Sequence, residues 1–169
     1  HHAVNHLRGD HALIAQWIRP GSRVLDLGCG DGALLDHLRR ERAVTGYGVE
    51  IEIDKVVRCI ERGVSVIQGD LDAGLADFDN GSFDYVIMSL TLQAVYFPAR
   101  VLDEMLRVGR EAIVAFPNFG HISCRLQLGF GGHMPMSAAL PETWYETDNI
   151  HLCTIRDFES LCRQRGIRI

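Results

Sequence analysis

Apolar and polar positions along this chain follow two spacings that alternate from one end to the other. Short stretches such as 85–88 and 112–116 are apolar without interruption, which is typical of parallel strands covered on both faces. Between such stretches lie segments such as 98–107, which begins with a proline and keeps its apolar residues on one helical face. This alternation predicts an α/β fold, a doubly wound and mostly parallel sheet with helices on both faces in a Rossmann-like arrangement.

The same spacings predict where the elements begin and end. The predicted strands are 23–27, 46–50, 64–68, 83–88 and 111–116. The predicted helices are 6–18, 33–42, 53–62, 98–107 and 155–164, the last of them capped by Thr154. The final residues 166–169 resemble a strand that has only begun, so we expect the C-terminal edge of the sheet to be incomplete.

The length of the chain and the positions of its glycine and proline residues predict the domain organisation. A chain of 169 residues is long enough to bury a substantial core, so we expect residues 1–169 to form one domain. The regular pattern breaks at about 120–150, where glycine and proline interrupt a stretch too long for an ordinary connection. We expect this stretch to be a lid or a binding insertion.

Composition narrows the possible partners and the compartment. The formal net charge of −5 argues against a nucleic acid as the main partner, because binding its backbone needs a basic face. No apolar run approaches the length of a membrane span, and no charged segment precedes an apolar signal core, so we expect no membrane partner. The five cysteines include no Cys-x-x-Cys pair and indicate reduced thiols in a cytoplasmic protein.

A glycine-rich turn follows the first predicted strand. Gly28, Gly30 and Gly32 stand at alternate positions just before the predicted helix 33–42. Glycine permits a sharp turn and a close ligand approach, and the start of the helix adds free N–H groups and the positive end of its dipole. This arrangement predicts a site for a nucleotide-like ligand. The turn also satisfies the dinucleotide fingerprint, so the glycines alone leave NAD and S-adenosylmethionine open.

Acidic residues near the ends of the first three predicted strands bear on this choice, and of these Glu50 suits either ligand. Asp26 would repel the pyrophosphate of a dinucleotide but would favour the sulfonium and ammonium groups of S-adenosylmethionine. Glu50 is placed to bind ribose hydroxyls through both carboxylate oxygens. In Gly69-Asp70-Leu71, the Asp70 carboxylate can accept a hydrogen bond from the adenine amino group while the Leu71 N–H meets a ring nitrogen. Asp70 has an equally good alternative role, because Gly-Asp is common in turns.

Other polar residues near the turn have simpler roles. Cys29 is predicted to be a small side chain packed under the turn rather than a nucleophile, because Asp26 and Asp31 would raise its thiol pKa. Residues 89–93 follow the fourth strand and are expected beside the ligand.

The histidines of the irregular region are too widely spaced for a compact metal motif, so no metal site is predicted.

No catalytic residue is demanded by the sequence. His121, Tyr145 and His151 are candidates for a substrate pocket or for a general base, because they lie in or next to the stretch that follows the fifth strand. In open α/β sheets, ligands bind beyond the carboxyl ends of the strands, where this stretch begins.

Two sets of motifs carry a resemblance to known families. Asp26-x-Gly28-x-Gly30-x-Gly32, Glu50, Gly69-Asp70 and Phe83-Asp84, in this order, resemble the motifs of class I S-adenosylmethionine-dependent methyltransferases. A narrower resemblance, to the methionine biosynthesis protein MetW family, rests on the segments 28–32, 48–50, 66–72, 91–94, 116–121, 144–145 and 149–155. It implies S-adenosylmethionine or S-adenosylhomocysteine as the ligand and homoserine O-acyltransferase as the partner.

The residues and the resemblance together predict one set of cofactor-binding positions. These are Asp26, Gly28, Cys29, Gly30, Gly32, Glu50, Ile51, Gly69, Asp70, Leu71 and Ser89.

Three functions are consistent with these positions. The first is a methyltransferase-fold protein of methionine biosynthesis that acts with homoserine O-acyltransferase, in which the bound S-adenosylmethionine would suit a sensor or helper subunit. The second is a methyltransferase acting on a small molecule, in which positioning within a desolvated cleft would supply most of the catalysis. The third, a nicotinamide-dependent oxidoreductase, is disfavoured by Asp26.

Overall fold

The computed structural model describes residues 2–89, 91–136 and 151–169, and these residues form a layered α/β structure. Their strands are β1 (Arg23–Leu27), β2 (Thr45–Glu50), β3 (Val66–Gln68), β4 (Phe83–Ser89) and β5 (Gly109–Ala115). Their α-helices are α1 (His2–Trp17), α2 (Ala33–Arg42), α3 (Ile53–Glu61), α4 (Pro98–Val108), α5 (Ile122–Gly131) and α6 (Ile155–Gln164). Two short 3₁₀ turns, Leu71–Ala73 and Leu92–Ala94, follow β3 and β4.

The strands form a parallel sheet in the order β3-β2-β1-β4-β5. At its centre, Leu25 of β1 is in register with Tyr47 of β2 and with Val86 of β4. The chain winds outward from β1 to β3 on one side and from β4 to β5 on the other, so the winding direction reverses between β1 and β4. The prediction of a doubly wound α/β sheet is confirmed. Such a reversal opens a crevice at the carboxyl ends of the strands.

Each face of the sheet carries its own apolar core. Successive side chains of a strand point to opposite faces, so neighbouring residues of β1 belong to different cores. Val24 packs in the core that includes Ile14 of α1 and Leu38 of α2. Leu25 packs in the core that includes Met105 of α4, with part of α6 against it. Because both faces are covered, β4 contains the apolar run 85–88 and β5 contains most of the run 112–116, as the sequence predicts.

Several elements differ from the predicted ones, among them α1, which begins at His2 rather than at residue 6. The third strand begins at Val66 rather than at residue 64, because the Val64 N–H donates to the Cys59 carbonyl (2.9 Å) and closes the end of α3 instead of joining the sheet. The fifth strand spans 109–115 rather than 111–116. The stretch expected to be irregular contains the helix α5, whose His121 side chain accepts a hydrogen bond from the Ser123 N–H.

The irregular stretch itself is only partly described. Residues 137–150 of the expected lid lie outside the described residues, and so does Tyr145. Its role as a lid stays a prediction. At the other end of the chain, α6 is followed within the described residues by no further strand, and β5 forms the edge of the described sheet. Among the described helices, none has the length and apolar character to cross a bilayer.

The predicted cap of the last helix is confirmed. Thr154 Oγ1 accepts a hydrogen bond from the Asp157 N–H (3.2 Å), and Asp157 Oδ2 accepts one from the Thr154 N–H (2.9 Å). These two bonds form a reciprocal capping box, which satisfies backbone donors that the first turn of a helix leaves unpaired.

We expect Thr154→Ala to lower the free energy of unfolding by about 1 kcal/mol, because the Asp157 N–H loses its acceptor. Chemical denaturation monitored by circular dichroism measures the change. Thr154→Ser keeps the hydroxyl and should retain most of the stability. Equal losses in the two variants would contradict a capping role for the hydroxyl.

Candidate functional site

A cleft of about 400 Å³ lies at the carboxyl ends of the strands, on the β1–β3 side of the winding reversal. This volume is within the range of small-molecule sites. Its wall is built by the segments that follow four neighbouring strands, β1, β2, β3 and β4. The lining residues are Gly28, Gly30, Val49, Glu50, Ile51, Glu52, Lys55, Gly69, Asp70, Leu71, Asp72, Thr91, Ala94, Val95 and Tyr96.

The glycine turn forms the floor of this cleft. Gly28, Gly30 and Gly32 have φ angles of 70°, 57° and 78°, in the left-handed region that favours glycine. Gly28 and Gly30 line the cleft, and a Cβ on Gly28 would lie 2.5 Å from Thr91 Oγ1. Gly32 does not line it. A Cβ on Gly32 would lie 3.1 Å from Cys59 Sγ, so this glycine permits the packing of α3 beneath the turn.

The Glu50 side chain ties this turn to the end of β2. It is 6% exposed, and its Oε2 accepts a hydrogen bond from the Gly30 N–H (2.9 Å). Its Oε1 accepts hydrogen bonds from the N–H groups of Ile51 (2.9 Å) and Glu52 (3.0 Å). A carboxylate offers about four acceptor positions, so these three bonds leave about one. A ribose hydroxyl can share Oε2 with Gly30, whereas the predicted pair of ribose contacts requires one backbone donor to give way.

Asp26 lies deeper than the sequence suggests. Its side chain is 2% exposed and does not belong to the lining of the cleft. Burial, followed by the negative charge of Glu50, raises the pKa of Asp26 from 3.8 to about 8. The carboxyl is therefore mostly protonated at neutral pH. A cation close to it would favour the ionised form and would lower this pKa.

Cys29 packs under the turn, as predicted. It is 8% exposed, and its Sγ lies 3.8 Å from the Sγ of Cys59. The Cys59 thiol donates to the Gly30 carbonyl (3.1 Å). On the strand below, a Cβ on Gly48 would lie 2.3 Å from Cys29 Sγ, so only glycine leaves room for this thiol. Cys29 does not line the cleft.

The pKa of the Cys29 thiol is raised, as predicted, but its main cause is burial rather than a neighbouring carboxylate. Burial raises the pKa of the Cys29 thiol well above its ordinary value, and the charge of Asp26 adds to the effect. Asp31 acts on the other thiol, since its charge contributes to the raised pKa of Cys59. Thiols held protonated in this way are poor nucleophiles.

The segment after β3 forms the next wall. Gly69, Asp70 and Leu71 line the cleft, and their role at the adenine end of a ligand stays a prediction. Asp70 also has the turn role that the sequence left open, because its Oδ1 accepts a hydrogen bond from the Asp72 N–H (2.9 Å). Ile51, at the end of β2, is 57% exposed and adds an apolar side chain to the lining.

Several lining residues were missed by the sequence analysis. Val95 and Tyr96 lie beyond 89–93, the part of the segment after β4 that was expected beside the ligand, whereas Thr91 lies within that range and does line the cleft. Ser89, predicted as a contact, does not line the cleft; its carbonyl accepts a hydrogen bond from Thr91 Oγ1 (3.1 Å). Asp72 was missed although it stands two residues after Asp70, a spacing that can place two carboxylates on one turn.

The two catalytic candidates within the described residues, His121 and His151, do not meet in the cleft. His121 is exposed and caps α5, with its Nδ1 2.9 Å from Ser123 Oγ. His151 is exposed, and neither histidine lines the cleft. Tyr145 lies outside the described residues. Over the described ranges, no group of three histidine, cysteine, aspartate or glutamate residues is arranged to hold a metal ion.

The fold and the cleft define a Rossmann-like protein with the S-adenosylmethionine-dependent methyltransferase fold. A methyltransferase of this kind from Thermotoga maritima, described as a possible histamine N-methyltransferase, superposes with a TM-score of 0.69 at 20% identity. The superposition covers 94% of this chain and 70% of that one. At this identity the likeness establishes the fold and leaves the reaction open.

The family follows from the sequence comparisons. The family model described as methionine biosynthesis protein MetW matches residues 8–169, and this chain belongs to that family. The chain is 38% identical over 172 residues to the bifunctional methionine biosynthesis protein MetXA/MetW of Rhodopirellula baltica, a match covering 96% of this chain and 28% of that protein.

A second relative is a named methyltransferase. The chain is 37% identical over 107 residues to the ubiquinone biosynthesis O-methyltransferase of Xanthomonas campestris, covering 60% of this chain and 44% of that protein. The chain thus spans less than half the length of either relative.

The raised pKa of Asp26 predicts a pH-dependent stability. Between pH 3.8 and about 8 the native carboxyl holds a proton that the unfolded chain has lost, so the free energy of unfolding falls as the pH rises through this range. Asp26→Asn is neutral at every pH and should be more stable than the parent chain at pH 8, on the order of a few kcal/mol. Denaturant unfolding at pH 5 and pH 8 measures both effects. A loss of stability in Asp26→Asn at pH 8 would contradict the burial argument.

Proposed function

We propose that the cleft binds S-adenosylmethionine, with S-adenosylhomocysteine occupying the same position. The observation that carries this proposal is the bond between Glu50 and Gly30, which places a carboxylate and a glycine turn against one cavity at the winding reversal. A ribose hydroxyl is the natural partner for the remaining acceptor position of Glu50. Asp70 and the Leu71 N–H would then meet the adenine edge.

The charge of the cleft supports a cationic ligand. Four carboxylates, those of Glu50, Glu52, Asp70 and Asp72, belong to residues that line it. The single lysine of this lining, Lys55, pairs with Glu52 (Nζ to Oε1, 2.7 Å). A pyrophosphate would be repelled here, whereas the sulfonium and ammonium groups of S-adenosylmethionine would be attracted. This favours S-adenosylmethionine over a nicotinamide dinucleotide.

We also propose that the chain acts with homoserine O-acyltransferase in methionine biosynthesis. The support is membership of the MetW family and the relative from Rhodopirellula baltica, whose name joins MetXA and MetW in one bifunctional protein. We take MetXA to be the acyltransferase that the family resemblance implies. Bound S-adenosylmethionine would then report the supply of activated methionine to the step that acylates homoserine.

Methyl transfer to a small molecule is the second candidate function. The relative named ubiquinone biosynthesis O-methyltransferase favours it, since that match lies within the same fold. The described residues bring neither His121 nor His151 to the cleft as a base. A methyltransferase that relies on positioning alone remains compatible with this arrangement.

We expect Glu50→Ala to weaken S-adenosylmethionine binding by roughly 1–3 kcal/mol, because the ligand loses a hydrogen bond to a charged side chain of the protein. Isothermal titration calorimetry measures the affinity. Glu61→Ala removes an exposed carboxylate of α3 outside the cleft and serves as the matched control. Unchanged affinity in Glu50→Ala would remove this residue from the site. Binding of NAD alone by the parent chain would overturn the proposed ligand.

Acylation of homoserine tests the partnership. The cognate homoserine O-acyltransferase should form product faster when this chain is added, and the two proteins should co-purify. The same reactions, supplied with S-adenosylmethionine, are checked for S-adenosylhomocysteine. An acylation rate that does not respond to the chain, together with release of S-adenosylhomocysteine, would favour the methyltransferase alternative.

A further inference from the structure

An aromatic side chain stands at one wall of the cleft without a role in the site described above. Tyr96 belongs to the lining and is 66% exposed. It lies between the 3₁₀ turn Leu92–Ala94 and the start of α4. A large ring this exposed beside a cavity is available for contact with a flat ligand group.

Asp72, which also lines the cleft, holds this connection in place. Its Oδ1 accepts hydrogen bonds from the N–H groups of Tyr96 (2.9 Å) and Phe97 (3.1 Å), and its Oδ2 lies 3.0 Å from the Tyr96 N–H. These bonds join the segment after β3 to the segment after β4. Hydrogen bonds to an ionised acceptor are stronger than neutral ones, so one side chain fixes the position of two backbone units.

The position of this clamp matters because of its neighbours in the chain. Asp70 and Leu71, which would meet the adenine edge, immediately precede Asp72. A base bound to them would therefore lie beside the segment that Asp72 holds. Ile51 also lines the cleft and would offer an apolar contact to the base. Stacking of an aromatic side chain on a base tolerates any base and is sensitive to the distance between the two planes.

We propose that Asp72 is a positioning residue that holds Tyr96 against the cleft, and that the Tyr96 ring covers the adenine base of the ligand. This inference rests on the proposed binding of S-adenosylmethionine. Tyr96 contacts the ligand, whereas Asp72 acts only through the backbone of Tyr96 and Phe97. The clamp, by which we mean the hydrogen bonds from the Tyr96 and Phe97 N–H groups to Asp72, would favour the adenosine half of the ligand. This preference would not depend on the charge of the ligand's sulfur.

Two ligands measured by calorimetry test the role of Tyr96. Tyr96→Ala should weaken S-adenosylmethionine and adenosine by the same factor, roughly tenfold, since the ring touches only the part that they share. Tyr96→Phe keeps the ring and should bind both nearly as well as the parent chain. Tyr47→Ala removes a partly exposed tyrosine that lies on β2 outside the cleft and is the control.

A double-mutant cycle tests the role of Asp72. Asp72→Asn loses one acceptor oxygen and the charge, so it should weaken adenosine severalfold in the parent chain and have little effect in the Tyr96→Ala background. A merely structural role would weaken binding equally in both backgrounds. Thermal unfolding of each variant is recorded first, and Tyr96→Ala, which removes an exposed side chain, tests the proposal even where Asp72→Asn fails to fold.

The outcomes separate this inference from the proposed function. A parent chain that binds neither S-adenosylmethionine nor adenosine would overturn both. A parent chain that binds them, with Tyr96→Ala weakening neither ligand or weakening S-adenosylmethionine alone, would overturn only the clamp. Equal losses for the two ligands, with no further loss on adding Asp72→Asn, would establish it.

Discussion

The hydrogen bond from the Gly30 N–H to Glu50 is the interaction on which the cleft depends. It joins the turn after β1 to the end of the adjacent parallel strand β2. The same carboxylate satisfies two further backbone donors at its own strand end. Buried carboxylates are costly unless their oxygens are paired, and here the pairing itself shapes the floor of the site.

Asp26 is a second buried carboxyl, and in its case burial raises the pKa. It stands on the central strand with almost no exposure, and burial together with the negative charge of Glu50 raises its pKa and disfavours its ionised form. Within the packed core of an α/β sheet, an apolar residue would be the stabilising choice at this position. Residues that lower stability without an evident structural gain are most often found at functional sites, because activity needs a group that packing alone would not select.

The sequence predicts the fold well because the signals involved are local. Uninterrupted apolar strands, the Thr154 cap and the glycine turn each depend on neighbouring residues, and each is confirmed. The clamp between Asp72 and the segment 96–97 was missed because it joins residues 24 positions apart that no spacing rule connects. The burial of Asp26 was missed for a related reason. The sequence around a carboxylate at a strand end does not show whether its side chain faces a cavity or the packed core.

The raised pKa of Asp26 also has a consequence for the lifetime of the protein in a cell. A cation bound near this carboxyl would lower its pKa towards the value of the unfolded chain, and a ligand that binds only the native state stabilises that state by mass action. Occupied molecules would then open less often and escape proteases that degrade the open form. Abundance of the protein would track the supply of its ligand, adding a slow response, through turnover, to the immediate one at the cleft.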